Sequence, residues 1–333
     1  MRSWLVILVA HFGCRGDAPA PPAKTTEAEP RTAPAAVTAP TRPDPWDVAP
    51  PVVNPDDPPD LFERHRLANQ ACPQVTAPYF YRIEKAGKVS HILGTRHIGV
   101  SLAKFPPSVH DAIKTAKLAV FEVAPDDDTD VPQKMISLPE ALGPKLWAHY
   151  RTLVGAAAAD SDQRTTPASA AIGMMAMHED IGALLDDEIE RQVVAAGIPT
   201  AGLEASALQE KLIHEVLDLR ALRASIQTTE TRQELEDESQ KDLARYCAGV
   251  DEPPGTDADS RAELLAAGYT NAEVDHIDEV MLYKRNVSWI PRLEKILEQG
   301  DAFIAVGAGH FPGPRGVLAL LAARGFQLTR VAK

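Results

Sequence analysis

The sequence predicts an α/β fold in which a mixed central sheet is flanked by helices and carries a helical insertion. Three observations support this prediction. Short apolar runs alternate with segments of helical period over residues 78–333, as in chains that form layered sheets and helices. Two of these runs, "HILGT" and "FIAVG", end in glycine and lead into a histidine, a helix and another apolar run. Between the two units, residues from about 133 to 298 are mostly helical in period.

The first 14 residues have the pattern of a signal peptide. Arg2 precedes a short apolar run, residues 4–10, which is too short to span a bilayer. The run ends near Gly13 and Cys14, a pair that resembles a bacterial lipoprotein cleavage site. We therefore expect export, with a lipid anchor on Cys14 at the periplasmic membrane or the cell surface. The alternative is an ordinary signal peptide with an incidental cysteine.

Residues 15–60 are expected to form a disordered tether. Thirteen of the 28 prolines lie between Pro19 and Pro59, interleaved with Ala, Thr, Asp and Glu. Such a composition cannot bury enough apolar surface to offset the entropy of ordering, and proline stiffens the chain into a spacer. The folded domain is therefore predicted over residues 61–333.

The domain begins with the first of the two units. Residues 78–95 alternate as a β-hairpin does, and residues 106–116 form a short amphipathic helix with Ser108 as the expected N-cap. Residues 118–124, "LAVFEVA", are almost continuously apolar, which is typical of a central parallel strand.

The middle of the domain is predicted to be helical, with one short strand at 198–204 and a loop at 252–255. The predicted helices are 139–154, one or two within 168–196, a long charged region 205–246, 259–268, and a segment 271–300 that is interrupted near Pro291.

The second unit repeats the first. A buried strand at 301–307 leads through His310 to a helix at 315–325 and a last strand at 326–331. His97 and His310 each follow the carboxyl end of a strand, the edge at which sites form in open α/β sheets. The two histidines are therefore expected in one cleft; the alternative is that each is satisfied within a surface loop.

Four further polar residues are candidates for the same cleft. Glu122 lies in an apolar strand, where a carboxylate needs a metal or an arginine, unless the strand is an edge strand facing water. Glu204 ends another strand and is a similar candidate. The simpler interpretation is that its carboxylate serves the start of the following helix. Arg285 and Asn286 lie in a helix and by position alone read as surface residues. If that helix packs its Met281–Trp289 face on the sheet, Arg285 reaches Glu122 and Glu204.

Several motifs resemble those of the TraB/GumN/Tiki family. They are "GTRH", "VFEV", "GLEASALQ", "YKRN" and "FIAVGAGHFPGPRGVLALLAARGFQLTRV", spread over residues 78–333. The chain is similar to this family in its two Gly-x-x-His motifs, in the glutamate after the first, in the "GLE" strand end and in the Arg-Asn pair before the second. A more distant similarity extends to erythromycin-esterase-like and haem-binding ChaN-like proteins.

The resemblance implies a metal-dependent hydrolase, most simply a peptidase acting outside the cytoplasm, since the animal Tiki members are membrane-tethered metalloproteases. It implies metal ligands at His97, His310 and Glu122, with Glu204, Arg285 and Asn286 as supporting groups. Two imidazoles and a carboxylate suit Mn, Co, Zn or Fe(II) and leave a position for water. Glu122 is either a ligand or the general base. The expected partners are a peptide or protein substrate and the membrane that holds the anchor.

Two other functions remain open from the sequence. A non-enzymatic lipoprotein could bind a peptide, haem or a metal with the same cleft. A metal-free ester hydrolase would use His97 as its base. A serine-hydrolase elbow and the nucleotide-binding glycine motifs are absent from the sequence. The net charge of −13 argues against a nucleic-acid partner, which needs a basic surface.

The cysteines give one more expectation. If Cys14 carries lipid, Cys72 and Cys247 remain as a pair in an oxidising compartment and are expected to form a disulfide. The alternative is two unrelated buried thiols.

Overall fold

The computed structural model describes residues 60–127, 131–251 and 253–331. The predicted signal peptide, Cys14 and the predicted tether up to residue 59 lie outside these residues. Within the part that is described, no helix combines the length and the apolar character needed to cross a membrane.

A six-stranded mixed sheet forms the centre of the fold, with strand order β6-β3-β7-β2-β1-β8. Strands β6, β3, β7 and β2 are parallel to one another, β1 pairs antiparallel with β2, and β8 pairs antiparallel with β1. Two very short strands, β4 and β5, pair separately. The strands are β1 (Phe80–Lys85), β2 (Lys88–Thr95), β3 (Leu118–Val123), β4 (Ile136–Ser137), β5 (Arg164–Thr165), β6 (Thr200–Glu204), β7 (Ala302–Gly307) and β8 (Gln327–Arg330).

The predicted hairpin and the predicted central strands are confirmed. In the hairpin, Ala86 and Gly87 turn the chain with positive φ angles of 50° and 74°, the geometry that tight hairpin turns require. All six residues of β7 are buried, so both faces of that strand are covered. This burial explains why the "AFIAVG" run is apolar without alternation.

The helices cover the sheet and build the insertion. They are α1 (Leu61–Ala71), α2 (Pro107–Thr115), α3 (Leu138–Val154), α4 (Ala156–Ser161), α5 (Pro167–Ala176), α6 (Leu185–Ala195), α7 (Ser206–Val216), α8 (Leu219–Thr228), α9 (Arg232–Ala248), α10 (Ala258–Ala266), α11 (Asn271–Asp278), α12 (Lys284–Leu297) and α13 (Val317–Ala322). One buried apolar cluster lies around the sheet, and a second lies among the helices of the insertion. Helix α12 packs in the sheet cluster through Trp289, Ile290 and Leu293, so the sheet core includes the last helix of the middle region.

The two Gly-x-x-His units leave neighbouring strands in opposite directions. From β2 the chain passes through α2 to β3, toward one edge of the sheet, and from β7 it passes through α13 to β8, at the other edge. A pair of adjacent strands with diverging connections is a topological switch point, where a crevice opens outside the carboxyl ends of the strands. The fold therefore brings the two histidine loops to that crevice.

Two local predictions were wrong, and a third is made more precise by the structure. Helix α2 begins at Pro107 with Pro106 as its N-cap, not at Ser108, because the fixed φ of proline suits the first helical position. The region 205–246 is helical as predicted, and it is divided among three helices, α7 to α9, with Asp218 as the N-cap of the second. Helix α12 continues through Pro291, and the irregular turn is a wide π-type segment at Glu279–Tyr283.

The structure joins Cys72 to Cys247 by a disulfide, with 5.9 Å between the Cα atoms. Cys72 ends α1, and Cys247 lies in the last turn of α9. The bond spans 175 residues of sequence and ties the start of the domain to the helical insertion.

Candidate functional site

The predicted site residues meet at the carboxyl ends of β2, β3, β6 and β7. We call His97, Glu122, Glu204, Arg285 and His310 the strand-end cluster. These five side chains are between 3 % and 6 % exposed. Because charged groups in so dry a place interact strongly, each of them needs a partner.

Gly307, the last residue of β7, lies where three of these groups converge. A Cβ atom on Gly307 would be 3.1 Å from Glu122 Oε1, 3.2 Å from His97 Nε2 and 3.6 Å from His310 Cδ2. Glycine is needed at this strand end because a side chain would collide with the polar groups. The backbone itself does not require glycine, since φ is −52°. Its own N–H donates to Glu122 Oε1 at 2.7 Å.

Each histidine is oriented through its Nδ1 atom. His97 Nδ1 lies 2.5 Å from Asp186 Oδ2, at the start of α6. His310 Nδ1 lies 2.6 Å from Asn286 Oδ1. The Nδ2 group of Asn286 donates to the carbonyls of Arg315 and His310, so its Oδ1 accepts and His310 carries its hydrogen on Nδ1. Both rings consequently present Nε2 to the centre of the cluster.

Arg285 holds the two glutamates together. Its Nη2 donates at 2.6 Å both to Glu122 Oε2 and to Glu204 Oε1, and its Nε donates to Glu204 at 2.9 Å. Its Nη1 donates to the carbonyl of Met281 and lies 3.3 Å from His310 Nε2. The guanidinium is therefore engaged by the protein on every side, which makes Arg285 a positioning residue in this geometry.

The two glutamates have opposite pKa shifts. Burial alone would raise the pKa of Glu122, but Arg285, the two histidines and the N–H of Gly307 hold it well below its usual range. Burial raises the pKa of Glu204, against the effect of Arg285. Glu122 is thus the ionised carboxylate of the cluster, and Glu204 is the one that takes a proton more readily.

The two histidines also differ. Burial lowers the pKa of His310 to about 3, so this imidazole is neutral at pH 7. Burial also disfavours charge on His97, but Asp186 outweighs it and the pKa of His97 is raised. The Nε2 atom of His310 is therefore suited to accept a bond, whereas the ring of His97 is suited to hold a proton.

Sequence reasoning missed three partners of this cluster. Asp186 lies in the first turn of α6 among other acids, where it reads as a favourable helix-start charge. Gln209 is buried in α7 and donates to Glu122 Oε2 at 3.0 Å, and Trp289 donates to Glu204 Oε2 at 3.0 Å. No local pattern marks these residues, although Gln209 closes the "GLEASALQ" motif.

A model of the TraB/PrgY/gumN family matches residues 79–330. The chain belongs to this family. The match covers all eight strands and both Gly-x-x-His units, so the strand-end cluster is part of the TraB-type domain. No curated protein and no solved structure shows a significant match to the chain.

The donor set of this TraB-family domain fits a divalent metal in its chemistry. Two imidazoles with Nδ1 bound to oxygen acceptors have the orientation that metal-ligating histidines usually have. Glu122 Oε1 lies 3.6 Å from His310 Nε2, and the same oxygen is beside His97 Nε2 over Gly307. Across residues 60–127, 131–251 and 253–331, no group of three or more His, Cys, Asp or Glu side chains is already drawn together around one ion position. Binding at His310 Nε2 requires that Arg285 Nη1 withdraw from it.

Proposed function

We propose that this TraB-family protein is a metal-dependent hydrolase that cleaves peptides or proteins outside the cytoplasm. The observation that carries the proposal is the convergence of His97, His310 and Glu122 over Gly307, with both imidazoles oriented through Nδ1. Two histidines and one carboxylate are the usual protein ligands of a catalytic metal with an open position.

The residues have distinct roles in this proposal. His97, His310 and Glu122 hold the ion, and Asp186 and Asn286 fix the two rings. A divalent metal bound there would lower the pKa of its water and polarise the scissile carbonyl. Glu204, whose pKa is raised by burial, accepts and returns a proton. Arg285 keeps Glu122 and Glu204 in place through its fork of donors.

Metal content is the first test. The purified full-length chain is loaded with Mn, Co, Zn or Fe(II) in turn, and bound metal is measured by mass spectrometry after desalting. We expect about one ion per chain, lost in both His97→Ala and His310→Ala. His276→Ala is the matched control, since His276 lies in the insertion with a side chain that is 56 % exposed. Equal metal content in all four proteins would overturn the proposed metal site.

Turnover is the second test. A peptide library is incubated with the metal-loaded protein, and cleavage is read by mass spectrometry with and without a chelator. The proposal expects cleavage that the chelator abolishes and that Glu122→Gln reduces at least 100-fold. Metal binding without cleavage would favour the non-enzymatic peptide-, haem- or metal-binding lipoprotein.

One observation favours a second candidate, a metal-free ester hydrolase. His97 and Asp186 form a buried base–carboxylate pair at 2.5 Å, the arrangement that orients a general base. Arg285 Nη1 meanwhile occupies the space at His310 Nε2. This candidate predicts ester cleavage that resists chelators and falls in Asp186→Asn.

We further propose that a lipid on Cys14 holds the protein to a membrane after export. The signal-like segment before Cys14 and the proline-rich segment after it support this proposal. Mass spectrometry of the mature N-terminus tests it. A chain that retains Met1 would overturn both export and lipidation.

A further inference from the structure

A cavity of about 300 Å³ lies at the same edge of the sheet as the strand-end cluster. Its wall includes residues 95–96, which lead into His97, and residues 308–309, which lead into His310. A group bound in the cavity would therefore contact both histidine loops, beside the place of the proposed reaction. The volume is at the lower end for ligand pockets and suits a single side chain.

The wall carries aromatic rings in two contacting pairs. Tyr79 and Tyr246 have ring centroids 5.6 Å apart, and Tyr81 and Phe311 meet edge to face at 5.7 Å. The hydroxyl of Tyr246 donates to the carbonyl of Gly94 at 2.7 Å, which ties this ring to β2. A further ring that joins such an arrangement gains about 0.5–1.5 kcal/mol beyond the area that it buries.

The sequence explains how these rings come together. Tyr79 and Tyr81 are two positions apart, just before and within β1, so their side chains point to one face of the sheet. Gly94, the glycine of the first Gly-x-x-His motif, lets Phe311 approach: a Cβ at Gly94 would lie 2.8 Å from the ring of Phe311. The two motifs therefore also shape the cavity.

The charged residues Arg96, Asp242 and Asp257 of the wall are already engaged. Glu179 binds Arg96 through two bonds of 2.8 Å, and Asp242 also acts on Arg96. Asp257 is the N-cap of α10, and its two oxygens accept from the N–H and the hydroxyl of Ser260. A charged ligand would lose its water here and find these partners in use, so the cavity favours a neutral group.

Other polar groups on the wall are neutral or remain in water. The side chain of Asp251 is 89 % exposed and lies 3.5 Å from Arg330. Burial raises the pKa of Tyr81 and that of Tyr246, so both phenols are uncharged at pH 7. These residues therefore do not make the cavity selective for an ion.

Thr95 gives the wall a hydroxyl that has no partner. Thr95 is 2 % exposed, and its Oγ1 makes no hydrogen bond among the described residues. A buried hydroxyl without a partner is costly, and such groups in native structures usually meet a ligand or a water. The phenol of tyrosine combines an aromatic ring with the hydroxyl that could bind there.

We propose that this cavity receives an uncharged aromatic side chain of the peptide substrate, tyrosine in preference to phenylalanine. The rings of the wall contact the aromatic face, and Thr95 makes a hydrogen bond to the phenol. An adjacent peptide bond then lies at the strand-end cluster. The cleavage of that bond rests on the proposed function, whereas the binding of the side chain needs neither a metal nor turnover.

Binding is measured on the purified full-length chain without added metal. N-acetyl-tyrosine amide is compared by NMR titration with N-acetyl-cyclohexylalanine amide, which is similar in size but has no aromatic face, and with N-acetyl-lysine amide. We expect the tyrosine probe to bind about fivefold more tightly than the cyclohexyl probe and at least tenfold more tightly than the lysine probe. Binding of the tyrosine probe no tighter than that of either other probe would overturn the proposal.

Variants locate the bound probe. Leu318 lies on the wall in α13 and is half-buried, so Leu318→Trp should fill the cavity and weaken the tyrosine probe at least tenfold. Leu320→Trp is the matched control, because Leu320 is also half-buried in α13 but lies outside the wall. Tyr81→Leu keeps an apolar wall without the ring and should reduce the preference over the cyclohexyl probe to about twofold. Equal affinities in the two tryptophan variants would place the probe outside the cavity.

Thr95→Val tests the hydroxyl with little risk to folding, since Oγ1 has no partner to lose. The loss of one hydrogen bond of about 1 kcal/mol should weaken the tyrosine probe roughly fivefold and leave N-acetyl-phenylalanine amide unchanged. An unchanged preference for tyrosine over phenylalanine in this variant would contradict the contact with Thr95.

Cleavage of a peptide library by the metal-loaded protein separates this proposal from the proposed function. Cleavage with an aromatic residue at a fixed position from the broken bond would support both. Cleavage without that preference would leave the hydrolase and overturn the role of the cavity. Binding of the tyrosine probe without any cleavage would leave the cavity as a site for peptide side chains and overturn the hydrolase.

Discussion

Two buried arginines near the ends of the parallel strands differ in how their charge is balanced. Arg285 lies between two glutamates, Glu122 and Glu204, and beside a histidine. Arg96, next to His97 in sequence, has one glutamate, Glu179, which it binds through two parallel bonds of 2.8 Å. Both guanidiniums are at most 6 % exposed, so burial does not distinguish them.

The two arginines differ in how well their carboxylate partners are matched to them in number. Ser239 donates to Glu179, and the Arg96 guanidinium also donates to the carbonyl of Ile98, so both partners have further hydrogen bonds within the fold, and we call this a closed pair. It ties the loop after β2 to helix α9 of the insertion. The strand-end cluster has one carboxylate more than its arginine can neutralise, and the pKa of Glu204 is raised there. Surplus charge in a dry cluster is typical of a functional site, whereas a closed pair is typical of a structural tie.

The largest effect is expected at Arg285. Arg285→Ala leaves two buried carboxylates without their cation, at a cost of about 3–5 kcal/mol and roughly 10 °C in melting temperature. Arg285→Lys should be almost as damaging, because one ammonium cannot reproduce the fork that spans Glu122 and Glu204. Thermal unfolding and peptide cleavage check both variants. Wild-type values in both assays would contradict the role of Arg285 as the positive pole of the cluster.

Most residues of the strand-end cluster could be predicted from the sequence, because they lie at the ends of predicted strands. The apolar runs that became β2, β3 and β7 determine where His97, Glu122 and His310 fall, and the structure brings these residues together. Arg285 reaches the cluster because α12 packs Trp289 against the sheet.

The remaining partners could not be predicted, because they come from the insertion. Asp186 and Gln209 lie on helices whose docking depends on tertiary packing and not on local pattern. The pairing of Arg96 with Glu179, 83 positions apart, has no sequence signal either. Hydrophobic periodicity fixes the elements but not which polar side chains of a packed helix face the sheet edge.

The second prediction tests whether the Arg96–Glu179 pair serves only to hold the structure together, in contrast to the Arg285 cluster. Arg96→Ala should cost about 3–5 kcal/mol, because Glu179 is left buried and unpaired. In the double variant Arg96→Met/Glu179→Leu, most of that loss should be recovered, since apolar residues often replace a closed ion pair without cost. Urea unfolding measures both variants. The corresponding Arg285→Met/Glu204→Leu variant should remain destabilised, because Glu122 stays charged and unpaired.

The third prediction concerns acid stability on the insertion side. His178 precedes Glu179, its two ring nitrogens are buried without hydrogen bonds among the described residues, and burial, with Arg64 and Arg232 nearby, lowers its pKa to about 4. The unfolded chain binds this proton below about pH 6.5 and the folded chain only below about pH 4, so stability falls as the pH drops between these values.

At pH 5 this histidine should cost about 2 kcal/mol relative to pH 7, since the ordinary pKa is roughly 1.5 units above pH 5. His178→Gln removes the titration, and urea unfolding at pH 5 and pH 7 should show a smaller difference than in the wild type. An unchanged difference would mean that other groups, such as His310 in the strand-end cluster, account for the acid loss.

The smallest effect on stability is expected from one methyl group at Gly307. Gly307→Ala places a Cβ 3.1 Å from Glu122 Oε1 and 3.2 Å from His97 Nε2, so both groups must shift by a few tenths of an ångström. We expect a loss of about 1 kcal/mol, because φ at this position is acceptable to alanine and only the contacts are affected. Metal content or turnover should fall at least tenfold, since the groups displaced are those proposed to act.

Gly173→Ala is the matched control: this glycine lies within α5 with nothing within 4 Å of its added Cβ, and alanine should stabilise the helix by about 0.5–1 kcal/mol. If Gly307→Ala instead behaves like Gly173→Ala in both unfolding and metal content, His97 and Glu122 do not act at the point where the structure brings them together.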